Sequence, residues 1–175
     1  MNEIAQTGVV NTGADYYLTD VLGTSVFLGD KKIGTLQDFV IVDGDKVAEV
    51  THIYVNRPYG YPALLIPWEN VKVFTVREVV VDIQYAEKYV GEPGPGAILL
   101  KDYILDKKVL DIEGKEVEVV YDVKMFLRNN KLFVSEVDIS KYSFFKRMKL
   151  KRVARMLKTP DKSITNGNIP WSYVQ

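Results

Sequence analysis

Ile66-Pro67-Trp68-Glu69-Asn70-Val71 returns 103 positions later as Ile169-Pro170-Trp171-Ser172-Tyr173-Val174. The shared Ile-Pro-Trp with its matching Val sets a register from which the rest of the chain can be aligned. Ile33-Gly34-Thr35-Leu36-Gln37-Asp38 and Val117-Glu118-Val119-Val120-Tyr121-Asp122 stand 84 positions apart, as do Val50 and Val134, Ile53 and Val137, and Val55 and Ile139. An ungapped offset from residue 33 to residue 55 indicates an internal duplication. The difference between the two offsets leaves nineteen extra residues in the second copy, and the segment from Lys141 to Lys158 fills nearly all of them.

Each copy reads as β. From Val21 to Ile139, short runs rich in Val, Ile, Tyr and Phe are broken every eight to twelve residues by Gly, Asp or Asn, the pattern of successive short strands. Gly29-Asp30-Lys31-Lys32 and Asp43-Gly44-Asp45-Lys46 have hairpin chemistry, because Asp-Gly tolerates positive φ in a tight turn. Asp111 to Lys115 and Arg128-Asn129-Asn130-Lys131 repeat those breaks in the second copy. Asn56 to Pro62 is a loop, since two prolines and a glycine cannot sustain a ladder. Gly91-Glu92-Pro93-Gly94-Pro95-Gly96 reads as a linker. It is Gly-rich, but no Lys-Ser or Lys-Thr follows it, so it is no phosphate cradle.

The inserted segment predicts a helix over 141–158. Between Leu150 and Lys158, Leu150, Val153, Ala154, Met156 and Leu157 fall on one side at 100° per residue, and Lys151, Arg152, Arg155 and Lys158 fall on the other. Upstream the faces mix, with Phe144, Phe145 and Met148 among Lys146, Arg147 and Lys149. Thr159-Pro160 closes the helix, because the residue before proline disfavours the helical region.

Composition narrows the chemistry. The 175 residues include 23 Lys plus Arg, 23 Asp plus Glu, one His and no Cys, which fits one ordinary domain or two very small ones. Without Cys there are no disulfides, thiolate metal sites or cysteine nucleophiles. The redox compartment stays undetermined, with a lean toward the cytosol. No run of eighteen apolar residues appears and the N-terminus lacks an apolar signal region, so the expectation is a chain that neither spans a membrane nor enters the secretory route. The zero net charge hides an asymmetry. Residues 1–140 carry 22 acidic and 14 basic side chains, and residues 141–175 carry nine basic side chains and one acidic. Such a concentration suggests internal electrostatic docking or an anionic partner.

Candidate sites are few. His52 lies on a predicted strand between Thr51 and Ile53, with no neighbouring Ser or Cys to activate, and reads as a half-exposed strand residue. Asp43-Gly44-Asp45, with Asp38 nearby, offers oxygen ligands, but Lys46-Val47-Ala48 breaks the alternation a calcium loop requires, so it reads as a hairpin turn. Catalytic residues, metal ligands and cofactors are therefore not assigned. Trp68 and Trp171 recur at one place in a repeated strand, which favours a shared packing role over a binding anchor. Eight Lys or Arg with no acid lie between Lys141 and Lys158. Lys146, Arg147, Lys151, Arg152, Arg155 and Lys158 are the candidate contacts to phosphates, anionic lipid headgroups or an acidic protein face. The alternative is that the helix packs on the second copy and its charges answer the acidic segment.

Two β-rich repeats with Leu22-Gly23-Thr24-Ser25-Val26 and Leu105-Asp106-Lys107-Lys108-Val109 near their starts, a strand reaching Asp38 or Asp122, and a later Ile-Pro-Trp strand resemble PRC-barrel domains. The resemblance covers roughly residues 19–175, with Glu118 departing from the pattern at the position of Gly34. It implies a mainly β fold of two tandem small PRC-type β-barrels with a short basic helix inserted in the second. The expected divisions are an N-terminal tail at 1–18, repeat one at 19–90, a linker at 91–96 and repeat two at 97–175. The arrangement is similar to the cytosolic N-terminal region of bacterial proteins that carry an MgtE-type N domain and CBS domains and are classed with magnesium transport. By that likeness the chain is a fragment of a longer cytoplasmic protein, membrane-associated through its parent, and a non-catalytic regulatory or assembly module. Its partners would be a protein or the downstream domains of the parent, or an anionic membrane surface. The alternative is an RNA- or ribosome-associated module similar to a ribosome maturation factor that carries one PRC-barrel.

Overall fold

Antiparallel hairpins at duplicated positions carry the architecture. In the first copy, β2 (Ser25–Leu28) and β3 (Lys31–Val42) turn through Gly29, whose φ of 58° lies in the left-handed region, the conformation glycine adopts without strain. β3 then pairs antiparallel with β4 (Ala48–Asn56). Register slips between Leu36 and Asp38 and between Val40 and Ile41 interrupt that ladder, and such bulges bend a strand and increase its twist. In the second copy, β11 (Asp122–Arg128) and β12 (Lys131–Asp138) pair in the same way. Asn129 and Asn130 take positive φ at their turn, as Asn does more readily than other side chains.

The computed structural model describes residues 13–110, 117–148 and 167–174. The remaining elements are β1 (Asp15–Tyr17), α1 (Leu18–Val21), β5 (Leu64–Pro67), β6 (Val71–Phe74), β7 (Glu78–Val81), β8 (Ile98–Leu99), α2 (Leu100–Ile104), β9 (Lys108–Leu110), β10 (Val117–Val119), α3 (Lys141–Arg147) and β13 (Asn168–Pro170). The fold is mainly β, with a curled, half-barrel sheet. Eleven strands share one hydrogen-bonded sheet along the path β1-β11-β12-β4-β3-β2-β7-β6, with β13, β5 and β8 pairing off it, while β9 and β10 form a separate pair. Phe133 and Val134 of β12 pair with Glu49 and Ala48 of β4. A main-chain ladder thereby crosses between the copies.

The copies also exchange their leading elements. β1, inside the stretch expected as a tail, pairs with β11 of the second copy at Tyr16↔Met125. β8, which follows the expected linker, pairs with β3 of the first copy at Val40↔Leu99. The linker itself lies against the first copy. Gly91 N–H donates to Ala63 C=O at 3.2 Å, and the Tyr54 hydroxyl donates to the Glu92 carboxylate. Burial and that carboxylate push the Tyr54 phenol up to about 12. One apolar cluster runs through both halves, from Leu18, Val26, Phe39 and Phe74 to Met125, Leu127, Val137 and Trp171.

The departure at Glu118 has a local cause. A Cβ on Gly34 would lie 2.4 Å from Asn56 O and 2.7 Å from Val55 Cγ1, so the close approach of β3 to β4 requires glycine there. Glu118 lies on β10, whose only strand partner among the described residues is β9, and the counterpart of Asn56 is Ser140, the N-cap of α3. The chain has already turned away, and a side chain fits. Of the predicted helix over 141–158, α3 supplies Lys141–Arg147. Residues 149–166 lie outside the described residues.

Candidate interaction surface

The duplicated positions meet at the junction of the copies. α1 and α2 have no capping side chain of their own, and the first N–H groups of a helix lack intrahelical partners. Each is satisfied from the other copy. Asp122 accepts from Thr19 N at 3.0 Å and from Thr19 Oγ1 at 2.5 Å. Asp38 accepts from Lys101 N at 2.8 Å and from Asp102 N at 3.4 Å. Both also accept from the next residue on their own strand, Val123 N and Phe39 N. The two carboxyls are 1% and 2% exposed. Burial pushes both above the usual carboxylate range, against these hydrogen bonds, which hold the charged form.

The tryptophans follow the same reciprocity. Trp68 Nε1–H donates to Asn130 O in the second copy's hairpin turn, and Trp171 Nε1–H donates to Asp43 Oδ1 in the first copy's, each at 2.7 Å. Both indoles are buried, which suits a ring that needs a polar partner for its one N–H. The Asp43 oxygen is shared with Gly44 N at 2.9 Å, so the turn read as a weak candidate for cation ligation serves the interface. Among the described residues, no group of three or more His, Asp or Glu is placed to hold a metal ion.

Of the six candidate anionic contacts, two are described. Lys146 Nζ lies 2.6 Å from Asp20 Oδ2 and 4.9 Å from the centre of the Tyr17 ring. Arg147 grips Asp106 with both terminal nitrogens at 2.7 Å, and its guanidinium holds the Asp106 carboxyl below the usual range. Asp106 has φ 63° and stands where Gly23 has φ 81°. Both basic residues thus point at acids of this chain, Asp20 on the exchanged α1 and Asp106 just past α2, the internal docking that the charge asymmetry allowed. Lys151, Arg152, Arg155 and Lys158 lie outside the described residues. Beside Arg147, a groove of about 650 Å³ is lined by Thr19, Leu22, Lys101, Asp102, Leu105 and Lys107.

His52 lies partly buried on β4, in a groove of about 720 Å³ with Trp68, Glu69, Lys72 and Lys131. Thr51 Oγ1 lies 3.3 Å from Val40 O and 3.0 Å from His52 Nδ1. Burial lowers the imidazole below its ordinary value, against the Glu69 carboxylate.

Sequence reasoning aligned Asp38 with Asp122 but missed their role. The available signal was an acid at the same place in both copies, and no local rule says that its partners lie 63 and 103 residues away.

No protein-family model matches this chain, and no curated protein matches it. No helix among the described residues is long and apolar enough to cross a membrane.

Proposed function

We propose that this chain is a tandem pair of PRC-type β-barrel repeats acting as a non-catalytic regulatory or assembly module in the cytosolic N-terminal part of a magnesium transport-related protein. One observation carries the module reading. The polar groups repeated in the duplication, Asp38, Asp122 and the two indole N–H groups, are all used to join one copy to the other. Among the described residues, no buried side-chain polar atom lacks a partner. Polar atoms committed in this way define an interlocked body and leave its outer surface for contact with other domains. The transport assignment rests on the resemblance of the repeats.

The test titrates the chain against a purified MgtE-type N domain with its CBS domains, against vesicles with anionic headgroups, and against a structured RNA. Each titration is run at low and at physiological ionic strength. Saturable binding to the protein module that survives physiological salt supports the reading. RNA binding that survives it replaces the reading with a ribosome-associated module, and no binding to any of the three removes the transport assignment. Binding to vesicles alone should fall steeply with salt, because exposed charges are screened beyond about 8–10 Å.

A further inference from the structure

The internal duplication separates side chains that the repeated fold needs, which recur in both copies, from chemistry that one copy holds alone. Thr51 Oγ1 lies 3.3 Å from Val40 O, and at the matching place in the second copy Ser135 Oγ lies 3.3 Å from Lys124 O. That hydroxyl serves the ladder in both copies. The next position differs. Glu136 is met within its own copy, by Asn168 Nδ2 at 2.9 Å and by Lys124 Nζ at 3.9 Å. Its counterpart His52 has Thr51 Oγ1 against Nδ1 at 3.0 Å and, among the described residues, no partner at Nε2.

The groove of about 720 Å³ that His52 lines gathers more such groups. Buried Trp68 and Val71 give it an apolar wall. Glu49 and Lys131 neutralise each other at 2.8 Å. Glu69 and Lys72 also line it, and among the described residues neither makes an ion pair. The second copy carries Ser172 in place of Glu69, Phe133 in place of Glu49 and Gln175 in place of Lys72, so the repeat demands none of these charges. An apolar wall with a few convergent polar groups is the usual form of a small-molecule site. A simple anion here meets Glu69, a simple cation meets Lys72, and no group of described residues is placed to hold a metal ion. A molecule with one charge of each sign satisfies both side chains.

We propose that this groove binds a small zwitterion, an α-amino acid or a short peptide. Its ammonium sits at Glu69, its carboxylate at Lys72 beside the His52 imidazole, and its apolar side chain against Trp68 and Val71. The inference goes beyond the module reading and stands whether or not the magnesium-transport assignment holds.

The probes are L-leucine and the dipeptide leucyl-leucine, titrated into the full chain and followed by amide NMR. N-acetyl-leucine, which lacks the ammonium, and leucinamide, which lacks the carboxylate, are the single-charge comparisons. The expected result is saturable shifts at His52, Glu69 and Lys72 with a zwitterion, Glu136 and Ser172 unmoved, and weaker binding of both single-charge compounds. Tighter binding of leucine assigns the groove to a free amino acid, and tighter binding of leucyl-leucine assigns it to a peptide. Glu69→Ser and Lys72→Gln each install the residue type that the second copy carries at that place, so neither should disturb the fold. Each should weaken zwitterion binding about two- to fivefold, the range for one exposed ion pair. Glu69→Ser should leave N-acetyl-leucine no weaker, and Lys72→Gln should leave leucinamide no weaker. The proposal is overturned if neither zwitterion moves these amides, or if either single-charge compound binds as tightly as the zwitterion. It is equally overturned if Glu136 and Ser172 respond in parallel, or if the two substitutions leave binding unchanged.

Discussion

Asp38 and Asp122 are the residues on which the exchange turns. Each brings a buried carboxylate to backbone N–H groups of the other copy, and leaving such donors unpaired costs about 1–3 kcal/mol per group. Asp122→Ala should therefore destabilise the chain by about 2–4 kcal/mol, while Asp122→Asn, which keeps an acceptor for Thr19 N, should cost much less. The pH dependence follows from the raised carboxyls. The folded chain holds their protons more tightly than the unfolded chain does. This contribution is complete below the ordinary Asp value of about 3.9 and is lost as pH rises through the raised values. Urea titrations across that window should show wild type losing ground to Asp122→Asn as pH rises, and a gap that stays constant with pH contradicts the assignment. At Trp68 and Trp171, substitution by Ala should cost about 3–5 kcal/mol in the same titrations. Substitution by Phe, which forfeits the indole N–H bond but keeps most of the ring, should cost about 0.5–1.5 kcal/mol.

Among elements, β3 and its split counterpart make a paired comparison. Gly34→Ala drives a methyl into the Asn56 carbonyl and should cost at least about 1–3 kcal/mol, the range for overpacking. Glu118→Gly, at the aligned position on β10, should change stability by less than about 1 kcal/mol. Equal losses, measured by urea titration, would show that the two positions share one environment. α3 is tied down by Lys146 to Asp20 and by Arg147 to Asp106. Both pairs are partly exposed, so removing either should cost about 0.2–1 kcal/mol and less at high salt. Asp106→Gly loses its ion pair but eases a left-handed backbone, and these terms are of similar size and opposite sign. The variant should sit within about 1 kcal/mol of wild type.

At the scale of the whole molecule, the exchange couples the copies. β1 and α1 complete the second copy and β8 and α2 complete the first, and one apolar cluster spans both. Urea unfolding followed by Trp fluorescence and by amide exchange should therefore give a single shared transition. Two transitions separated in urea would mean that each copy folds alone. Deleting residues 1–21 removes the strand that pairs with β11 and the helix that Asp122 caps, so the deletion should accelerate amide exchange across residues 122–138 before it affects β3 and β4.

Most strands between Val21 and Ile139, the duplication and the recurrence of Trp68 at Trp171 were determined by the sequence alone, because alternation, turn residues and a constant offset are local or one-dimensional properties. The tertiary structure alone decided which copy each leading segment joins. A three-residue strand such as Asp15–Tyr17 carries no address in its pattern, and it fits either β3 or β11 until the packing of Leu18 and the reach of Asp122 to Thr19 select one. The same holds for Lys146 and Arg147. Their charge was legible, but whether it faces solvent or the acids at Asp20 and Asp106 depends on where the tertiary fold places those carboxylates.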